Sequence, residues 1–170
     1  MDCDDTLYCP QCGNKLELRS VDRVDQLARP ETDCHYVHWH NPVPVVAGVI
    51  VYNHSLLLAR NRQWPAGRFS LITGHVERHE APEQAIRREL PEALGLVTDT
   101  VQFVGHYLFK RKNQLLIAYT LKAHGEPKLG DEIAEIRMFP ISDVAQHDFS
   151  PFELTRTIVQ DWLKSSTSPN

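Results

Sequence analysis

The chain has 170 residues, of which 42% are hydrophobic and 24% are charged, and this composition is ordinary for a globular domain with a small additional module. A formal net charge of −4 gives no basis for a nucleic-acid-binding surface, and no apolar run approaches the ~20 residues of a membrane span. The acidic start lacks the apolar core of a signal peptide, so we expect a cytoplasmic protein without disulfides.

The first motif is the pair Cys9 and Cys12, followed by Gly13. Two thiolates at this spacing can bind one tetrahedral Zn²⁺, and the glycine permits a tight turn behind them. A second such pair is absent, because Cys34 is preceded at the matching distance by Glu31. We predict a zinc site formed by Cys9, Cys12 and Cys34; the alternative is free thiols. The candidates for the fourth ligand are Glu31, His35, His38 and Cys3.

Alternating and β-branched stretches predict the strands that follow. Residues 13–30 are polar and are expected to form a hairpin. The later strands are predicted at 43–51, 56–60 and 69–72, with the loop 61–68 between the last two.

The stretch from Gly74 to Leu96 predicts a loop and then a helix. Pro82 suits the first helical turn, where its missing N–H is not needed. Apolar residues then recur every four positions and form one buried stripe, at Ile86, Leu90 and Leu94. Gly95 is placed where a helix ends in the left-handed conformation.

A second face of this helix carries Arg88, Glu89 and Glu92. The two glutamates are three residues apart, so their carboxylates project from neighbouring positions. Clustered carboxylates resist joint ionisation unless a cation lies between them. Hard oxygen ligands of this kind suit Mg²⁺ or Mn²⁺.

The spacing Gly74-x5-Glu80-x7-Arg88-Glu89-Leu90-x-Glu92, closed by Gly95-Leu96, resembles the box of the Nudix hydrolase family, with eight of nine fixed positions matched. Two departures fall on the helix. Ala93 stands where the family has a glutamate that commonly binds the metal. Pro91 lies inside the helix, where it removes a backbone hydrogen bond and favours a kink.

After the box, strands are predicted at 101–108 and 115–123, with the basic loop 110–113 between them. This loop is interpreted as a solvated hairpin tip, and the alternative is a contact for a substrate phosphate. The acidic loop and strand at 130–139 resemble the later Nudix segment, where Glu132 aligns best as a further ligand or base and Glu135 is the reserve. A last helix is predicted at 151–164.

The resemblance implies an α+β fold, a Nudix α/β/α sandwich with a mixed sheet. The expected organisation is a zinc-ribbon-like module at 1–40, the Nudix domain at 41–166 and a disordered tail at 167–170. The stretch from Cys34 to Asn41-Pro42 resembles the end of the zinc ribbon in NADH-pyrophosphatase-like Nudix proteins, whose members are often dimers. A homodimer is therefore expected. The proline-rich signature of that subgroup is absent from 106–112.

The activity implied by the family is hydrolysis of a pyrophosphate in a nucleoside diphosphate derivative, such as ADP-ribose or an NADH-like dinucleotide. The resemblance gives each box residue a role. Glu89, Glu92, Glu132 and the Gly74 carbonyl are the expected ligands of Mg²⁺ or Mn²⁺. Arg88 and Glu80 are expected to orient these ligands, and Glu132 is the alternative general base.

Two questions stay open from the sequence. An adenine could stack on Trp64, Tyr107 or Phe109, and no sequence rule selects among them. Because of Ala93 and Pro91, the alternative function is a nucleotide-binding or regulatory module with weakened catalysis.

Overall fold

A computed structural model describes residues 8–29 and 34–167 of the chain. The chain divides into two compact units, Met1–Asn41 and Pro42–Asn170.

The first unit contains a small antiparallel sheet of β1 (Glu17–Val21), β2 (Val24–Ala28) and β3 (Val37–His38), in that order. The turn between β1 and β2 places Asp22 and Arg23 at φ values of 51° and 69°. Two consecutive residues with positive φ match the twist of a two-residue hairpin, so the hairpin predicted within residues 13–30 is present.

The second unit is larger and combines strands with helices. In chain order its elements are β4 (Val43–Tyr52), β5 (Ser55–Asn61), β6 (Ile72–His75), α1 (Pro82–Leu94), β7 (Val97–Phe109), β8 (Gln114–His124), β9 (Ile133–Pro140), α2 (Ile141–Val144) and α3 (Glu153–Thr167). The described strands form a mixed six-stranded sheet in the order β7-β8-β4-β5-β9, with β6 paired to β4.

Strand β4 is central because it has partners on both sides. It runs parallel to β8 along its whole length. On its other side it pairs first with β6 and then with β5, both antiparallel. Its nearly continuous apolar sequence is typical of a strand buried on both faces.

The two faces of the sheet pack against different helices. On one face, Val46 and Ile50 belong to the same buried cluster as the α1 residues Ile86, Leu90 and Leu94. On the other face, the alternate β4 residues belong to a second cluster with the α3 residues; its members from these two elements are Val45, Ala47, Val49, Ile158, Val159 and Trp162. This layering confirms the predicted sandwich with a mixed sheet.

Helix α1 begins and ends where the sequence predicts. The Gln84 side chain accepts a hydrogen bond from the Ala81 N–H at 2.8 Å, just before the first helical residue. At the other end Gly95 has φ 65°, and its N–H donates to the Pro91 carbonyl at 2.8 Å. The helical conformation is continuous through Pro91.

The largest boundary differences from the sequence predictions are in β6, β7 and α3. Strand β6 extends to His75, so Gly74 lies in a strand instead of a loop. Strand β7 begins at Val97, because its pairing with β8 continues to His124. Helix α3 reaches Thr167 instead of ending at 164: no glycine or proline interrupts residues 152–167, and the Ser165 hydroxyl donates to the Trp162 carbonyl. Residues 168–170 lie outside the described range.

Candidate active site

Arg88 connects the acidic residues of the box. Its Nε and Nη2 donate to the two carboxylate oxygens of Glu80 at 2.9 and 3.0 Å. Its Nη1 donates to Glu89 at 2.9 Å and to Glu92 at 3.0 Å. A further bond from Nη2 to the His75 carbonyl, at 3.1 Å, ties this network to the end of β6. The structure therefore brings together four of the five side chains predicted to be catalytic.

The charges of this network act on one another. The paired Arg88 guanidinium lowers the pKa of Glu80, and the pKa of Arg88 is itself raised, chiefly by the hydrogen bonds that it donates to Glu80. A forked guanidinium bound to several carboxylates is geometrically constrained. Arg88 thus has the contacts expected of a residue that orients its neighbours.

Glu89 and Glu80 are the least exposed carboxylates of this group, each with 14% of its side chain exposed. A Cβ added to Gly74 would lie 1.9 Å from the Glu89 carboxyl carbon, so any larger residue at this position of β6 would displace the Glu89 side chain. The carboxylate and the strand that carries the Gly74 carbonyl are consequently in direct contact.

Burial raises the pKa of Glu89, and the negative charges of Glu92 and Glu132 raise it further, whereas Arg88 lowers it. Glu132 is therefore close enough to act on Glu89, although it is exposed and belongs to a different segment. Among the described residues, the only group of three or more possible metal-ligating atoms within 4.8 Å of one another is formed by cysteine Sγ atoms. The carboxylate oxygens of Glu89, Glu92 and Glu132 are therefore more widely spaced than these thiols.

The loop that carries Glu132 is held from two directions. Lys128 and Gly130 donate their N–H groups to the carbonyls of Leu94 and Ala93, at the end of α1. On the other side, the Arg62 N–H donates to the Glu132 carbonyl at 2.8 Å, and the Arg62 side chain donates to the Asp131 carbonyl. Arg62 was not identified from the sequence, because its role depends on a contact between distant segments.

Ala93 of the box and Glu135 of the later segment have structural surroundings of their own. Ala93 is 2% exposed and belongs to the buried cluster beneath α1. Glu135, the reserve candidate, forms an ion pair with Arg60 at 3.2 Å, so it is already partnered. The structure therefore favours Glu132 over Glu135 as the loop carboxylate of the site.

The donor set fits a divalent cation. Glu80, Glu89, Glu92 and Glu132 bring more negative charge than the single guanidinium of Arg88 balances, and like charges raise the pKa of Glu89. Carboxylate oxygens with a backbone carbonyl are the ligands that Mg²⁺ and Mn²⁺ prefer. Glu89, Glu92, Glu132 and the Gly74 carbonyl would hold such an ion.

A cavity of about 630 Å³ opens on the α3 face of the sheet. Its floor includes Val45 and Ala47 of β4 and Leu116 of β8, and one wall is formed by the start of α3. Thr73 lines the cavity, while the next residue, Gly74, contacts Glu89. The cavity and the carboxylate cluster therefore lie on opposite faces of the sheet, at two consecutive residues of β6.

The cavity selects among the aromatic candidates. Trp64 and Phe109 line it, whereas the Tyr107 hydroxyl donates to Asp161 at 3.2 Å and Tyr107 is not part of the lining. Phe152, which was not among the aromatic candidates from the sequence, also lines the cavity, and its ring lies 4.7 Å from that of Trp64. The lining residues Arg111 and Lys112 belong to the predicted basic loop.

The first unit has a separate cluster of thiols. The Sγ atoms of Cys9, Cys12 and Cys34 all lie within 4.8 Å of one another, and those of Cys9 and Cys34 are 3.7 Å apart. The Gly13 N–H donates a hydrogen bond to the Cys9 carbonyl at 2.8 Å, and with φ 74° at Gly13 this closes the turn after Cys9 and Cys12. Three converging thiols fit a zinc ion.

Two of the candidates for a fourth zinc ligand are described histidines. Neither His35 nor His38 lies within 4.8 Å of all three thiols, and His38 contacts the Tyr36 hydroxyl through Nδ1. The other two candidates, Glu31 and Cys3, lie outside the described residues.

Across the parts of the chain that the structure describes, no helix has both the length and the apolar character needed to span a membrane.

Comparison with known proteins identifies the second unit. The family model for the NUDIX domain matches residues 42–158. Among curated proteins, the NAD-capped RNA hydrolase NudC of Vibrio atlanticus is 24% identical over 95% of this chain and 60% of its own length. For two other Vibrio relatives the matched share is 50% and 40%, so the chain spans about half the length of these relatives.

Two solved structures show the same fold. A NUDIX hydrolase from Nitrosomonas europaea superposes with a TM-score of 0.78 at 21% identity, over 95% of this chain and 94% of that one. The NUDIX domain of Shewanella oneidensis NrtR, solved in complex with ADP ribose, superposes with a TM-score of 0.61 at 19% identity, over 74% of this chain and 89% of that one. These matches confirm the resemblance inferred from the box, and the chain belongs to the NUDIX domain family.

Proposed function

We propose that the protein is a divalent-metal-dependent pyrophosphohydrolase that cleaves a nucleoside diphosphate derivative. The observation that carries this proposal is that the two halves of the site lie at consecutive residues of β6: Thr73 lines an aromatic cavity on one face of the sheet, and Gly74 contacts Glu89 on the other. A nucleoside in the cavity would reach the carboxylates with its diphosphate by passing around β6.

We assign a different role in such a site to each group of side chains: metal binding, orientation of the ligands and proton transfer. Glu89, Glu92, Glu132 and the Gly74 carbonyl would hold Mg²⁺ or Mn²⁺, which neutralises phosphate charge and activates water when bound. Arg88 fixes the orientation of Glu89 and Glu92 through its Nη1, and Glu80 fixes Arg88. Glu132, which makes no ion pair with the described residues, is free to accept a proton as the alternative base.

For the substrate we propose ADP-ribose or an NADH-like dinucleotide. The aromatic lining suits a flat base, which could stack between Trp64 and Phe109. Two relatives support this choice by the ligands that their names state, NAD-capped RNA for the Vibrio hydrolases and ADP ribose for the NrtR domain.

We also propose that Cys9, Cys12 and Cys34 hold a structural zinc ion in the first unit. Their mutual spacing supports this assignment.

The second candidate function is a nucleotide-binding module with little or no turnover. The observation that favours it is Ala93: its methyl group is buried, so α1 offers no second acidic ligand at that position. Because Mg²⁺ is commonly held by one or two carboxylates together with substrate phosphates, the remaining set is sufficient for binding. We therefore place this alternative second.

The deciding experiment measures product release from ADP-ribose, NADH and simple nucleoside triphosphates, each with Mg²⁺ and with Mn²⁺. We expect turnover of the diphosphate derivatives ahead of the triphosphates, and a loss of roughly a hundredfold or more in Glu89→Gln. Glu126→Gln makes the same change on an exposed carboxylate and should leave turnover unchanged. Binding of ADP-ribose without any hydrolysis would support the binding module instead.

A further inference from the structure

Glu132 differs from the other carboxylates of the site in how it is held. Those on α1 and in the loop before it accept hydrogen bonds from Arg88, whereas Glu132 lies exposed between β8 and β9. In the part of the chain that the structure describes, the Glu132 carboxylate forms no ion pair and accepts no hydrogen bond. The direction of this side chain is therefore set by the backbone that carries it.

Two hydrogen bonds from Arg62 hold that backbone. The Arg62 N–H donates to the Glu132 carbonyl at 2.8 Å, and the Arg62 Nε donates to the Asp131 carbonyl. These two carbonyls belong to the peptide groups on either side of the Glu132 Cα atom. Because a peptide group is planar, fixing both groups leaves little freedom in the φ and ψ angles of Glu132 and in the direction of its Cα–Cβ bond.

The segment that carries Arg62 forms a closed turn. The Asn61 carbonyl accepts the Trp64 N–H at 2.9 Å. Asn61 also pairs with Ile133 of β9, directly after a register shift in the pairing of β5 with β9. Irregularities of this kind redirect side chains at the end of a strand. Arg62 is thus attached to the sheet on one side and provides a fixed anchor for the Glu132 loop on the other.

The contacts of Arg62 leave the Glu132 carboxylate available. Arg62 is exposed, and among the described residues it forms no ion pair. Arg60 shows the opposite arrangement, since it binds the Glu135 carboxylate itself at 3.2 Å. A guanidinium that binds backbone carbonyls fixes the position of a neighbouring carboxylate without occupying its oxygens. The Glu132 oxygens therefore remain available to a cation.

We infer that Arg62 is a positioning residue for Glu132: it binds the two peptide groups that flank this residue and thereby holds the carboxylate near Glu89. This inference rests on the proposed function, because it takes Glu132 as a metal ligand. Loss of the Arg62 side chain should weaken metal binding only while position 132 carries a carboxylate. A residue that contacted a substrate phosphate directly would act independently of Glu132.

The test is a double-mutant cycle on the full chain. Mn²⁺ affinity is measured by electron paramagnetic resonance without substrate, and turnover of ADP-ribose is measured over a range of Mn²⁺ concentrations. The variants are Arg62→Met, which keeps the aliphatic stem and removes the donors, Glu132→Gln, and the combination of both. Urea unfolding shows whether each variant is folded under these conditions.

The matched control is Arg87→Met. Arg87 is likewise exposed, and its side chain also donates to two consecutive backbone carbonyls, those of Thr98 at 2.9 Å and Asp99 at 3.4 Å. The substitution removes the same kind of contact from a segment that does not carry Glu132. The Mn²⁺ affinity of this variant should equal that of wild type.

We expect Arg62→Met to weaken Mn²⁺ binding by about tenfold, at the lower end of the usual range for residues that orient metal ligands, because the backbone bond to the Glu132 carbonyl remains. Glu132→Gln should weaken Mn²⁺ binding at least as much, and the double variant should bind Mn²⁺ as Glu132→Gln does. The turnover that Arg62→Met loses should return at high Mn²⁺ concentration, which a merely destabilised fold would not show.

Two results would overturn the inference: equal Mn²⁺ affinity in wild type and Arg62→Met, or losses that add up in the double variant. The second result would show that Arg62 acts independently of Glu132. Non-additive losses of Mn²⁺ affinity without any hydrolysis would leave the positioning role standing and overturn only the proposed activity. Failure of wild type to bind Mn²⁺ even with ADP-ribose present would overturn both.

Discussion

At the scale of single residues, Glu89 is a carboxylate whose ionised form is disfavoured by burial and by neighbouring negative charges and is favoured by Arg88. Its surroundings raise the pKa of the carboxyl while Arg88 holds it in place. A carboxylate in such a position destabilises the fold unless a cation compensates it, since burial and like charges both disfavour ionisation. The residue is thus better explained by a ligand than by the stability of the helix.

The first prediction concerns the stability of Glu89→Gln. The neutral amide has nearly the same shape and removes the disfavoured charge, so the free energy of unfolding in metal-free buffer should be equal to or higher than that of wild type. Urea unfolding at pH 7 measures it. A clear loss of stability would show that the charge serves the fold, and any loss of activity in this variant would then need a structural explanation.

A second residue, His147, makes stability depend on pH. Its ring lies 4.2 Å from that of Phe139 and 4.8 Å from that of Phe149. Burial lowers its pKa; nearby Asp148 opposes this shift and Arg137 adds to it. Because the folded state binds the proton less readily than the unfolded chain, this contribution is complete above the ordinary imidazole pKa of about 6.5 and is lost as pH falls below it.

We predict that His147→Gln weakens the fall in unfolding free energy that wild type shows between about pH 7 and pH 5. The measurement is urea unfolding at several pH values in that range. The exposed His106 provides the matched change, His106→Gln, which should keep the wild-type slope. Identical slopes in all three proteins would contradict the assignment to His147.

Residues within one continuous motif were predictable, and residues joined across segments were not. The spacing of Glu80, Arg88, Glu89 and Glu92 predicted neighbours, since one loop and one helix fix their geometry. Arg62 and Phe152 carry no such signal, because each acquires its role by contact with a segment far away in the sequence.

At the scale of elements, α1 keeps its helical conformation in spite of Pro91. This residue has no N–H to donate to the Arg87 carbonyl, and it is exposed, so no packing requires it. The same helix contains Pro82 at its first position, where no such bond exists to be lost. The two prolines therefore form an internal comparison.

We predict that Pro91→Ala stabilises the protein by up to about 3 kcal/mol, whereas Pro82→Ala is neutral or slightly destabilising. Chemical unfolding of the two variants and wild type provides the comparison. Equal effects of the two substitutions would show that α1 has adapted to the interior proline at no cost.

The contact between α1 and the Glu132 loop depends on Gly130. A Cβ at this position would lie 2.3 Å from the Glu92 carbonyl oxygen, which belongs to the backbone and has little freedom to shift. Gly130→Ala should therefore push the loop away, at a cost of about 1–3 kcal/mol in stability.

Because Glu132 follows two residues later, this variant should also lose more activity than its change in stability explains. The measurement is turnover at a temperature where wild type and Gly130→Ala are both fully folded. Unchanged turnover at that temperature would separate Glu132 from the reaction.

Among the elements, too, features that depend on local sequence were predictable, and features that depend on contacts between distant segments were not. The apolar runs of β4 and β5 and the periodic stripe of α1 were visible in the sequence. The parallel pairing of β4 with β8, the position of β6 beside β4 and the cavity on the α3 face were not, because strand partners are chosen by tertiary packing.

At the scale of the whole molecule, the chain consists of two units with different sources of stability. The second has two buried clusters, one on each face of its sheet. The first has short, largely exposed strands, and its described core includes Cys9, Leu16 and Ala28. A module with so small a core commonly needs a metal ion to fold.

We therefore predict about one zinc ion per chain in protein purified without chelator, and local unfolding of residues 8–41 when zinc is removed. Hydrogen exchange with and without chelator should show lost protection in β1 and β2 and unchanged protection in β4 and β8. Cys9→Ser should reproduce the effect, whereas Ser20→Ala, an exposed substitution in β1, should not. Zinc-free protein with full protection in β1 and β2 would contradict the prediction.

The partnership of β4 with β8 also has a consequence for biosynthesis. The two strands pair in register over ten residue pairs, from Val43 with Gln114 to Tyr52 with Ala123. During synthesis on a ribosome, the apolar strand β4 emerges about seventy residues before its parallel partner β8. During that interval the backbone N–H and C=O groups of β4 that later pair with β8 have no strand partner. We expect a chaperone that binds extended apolar segments to bind β4 at this stage.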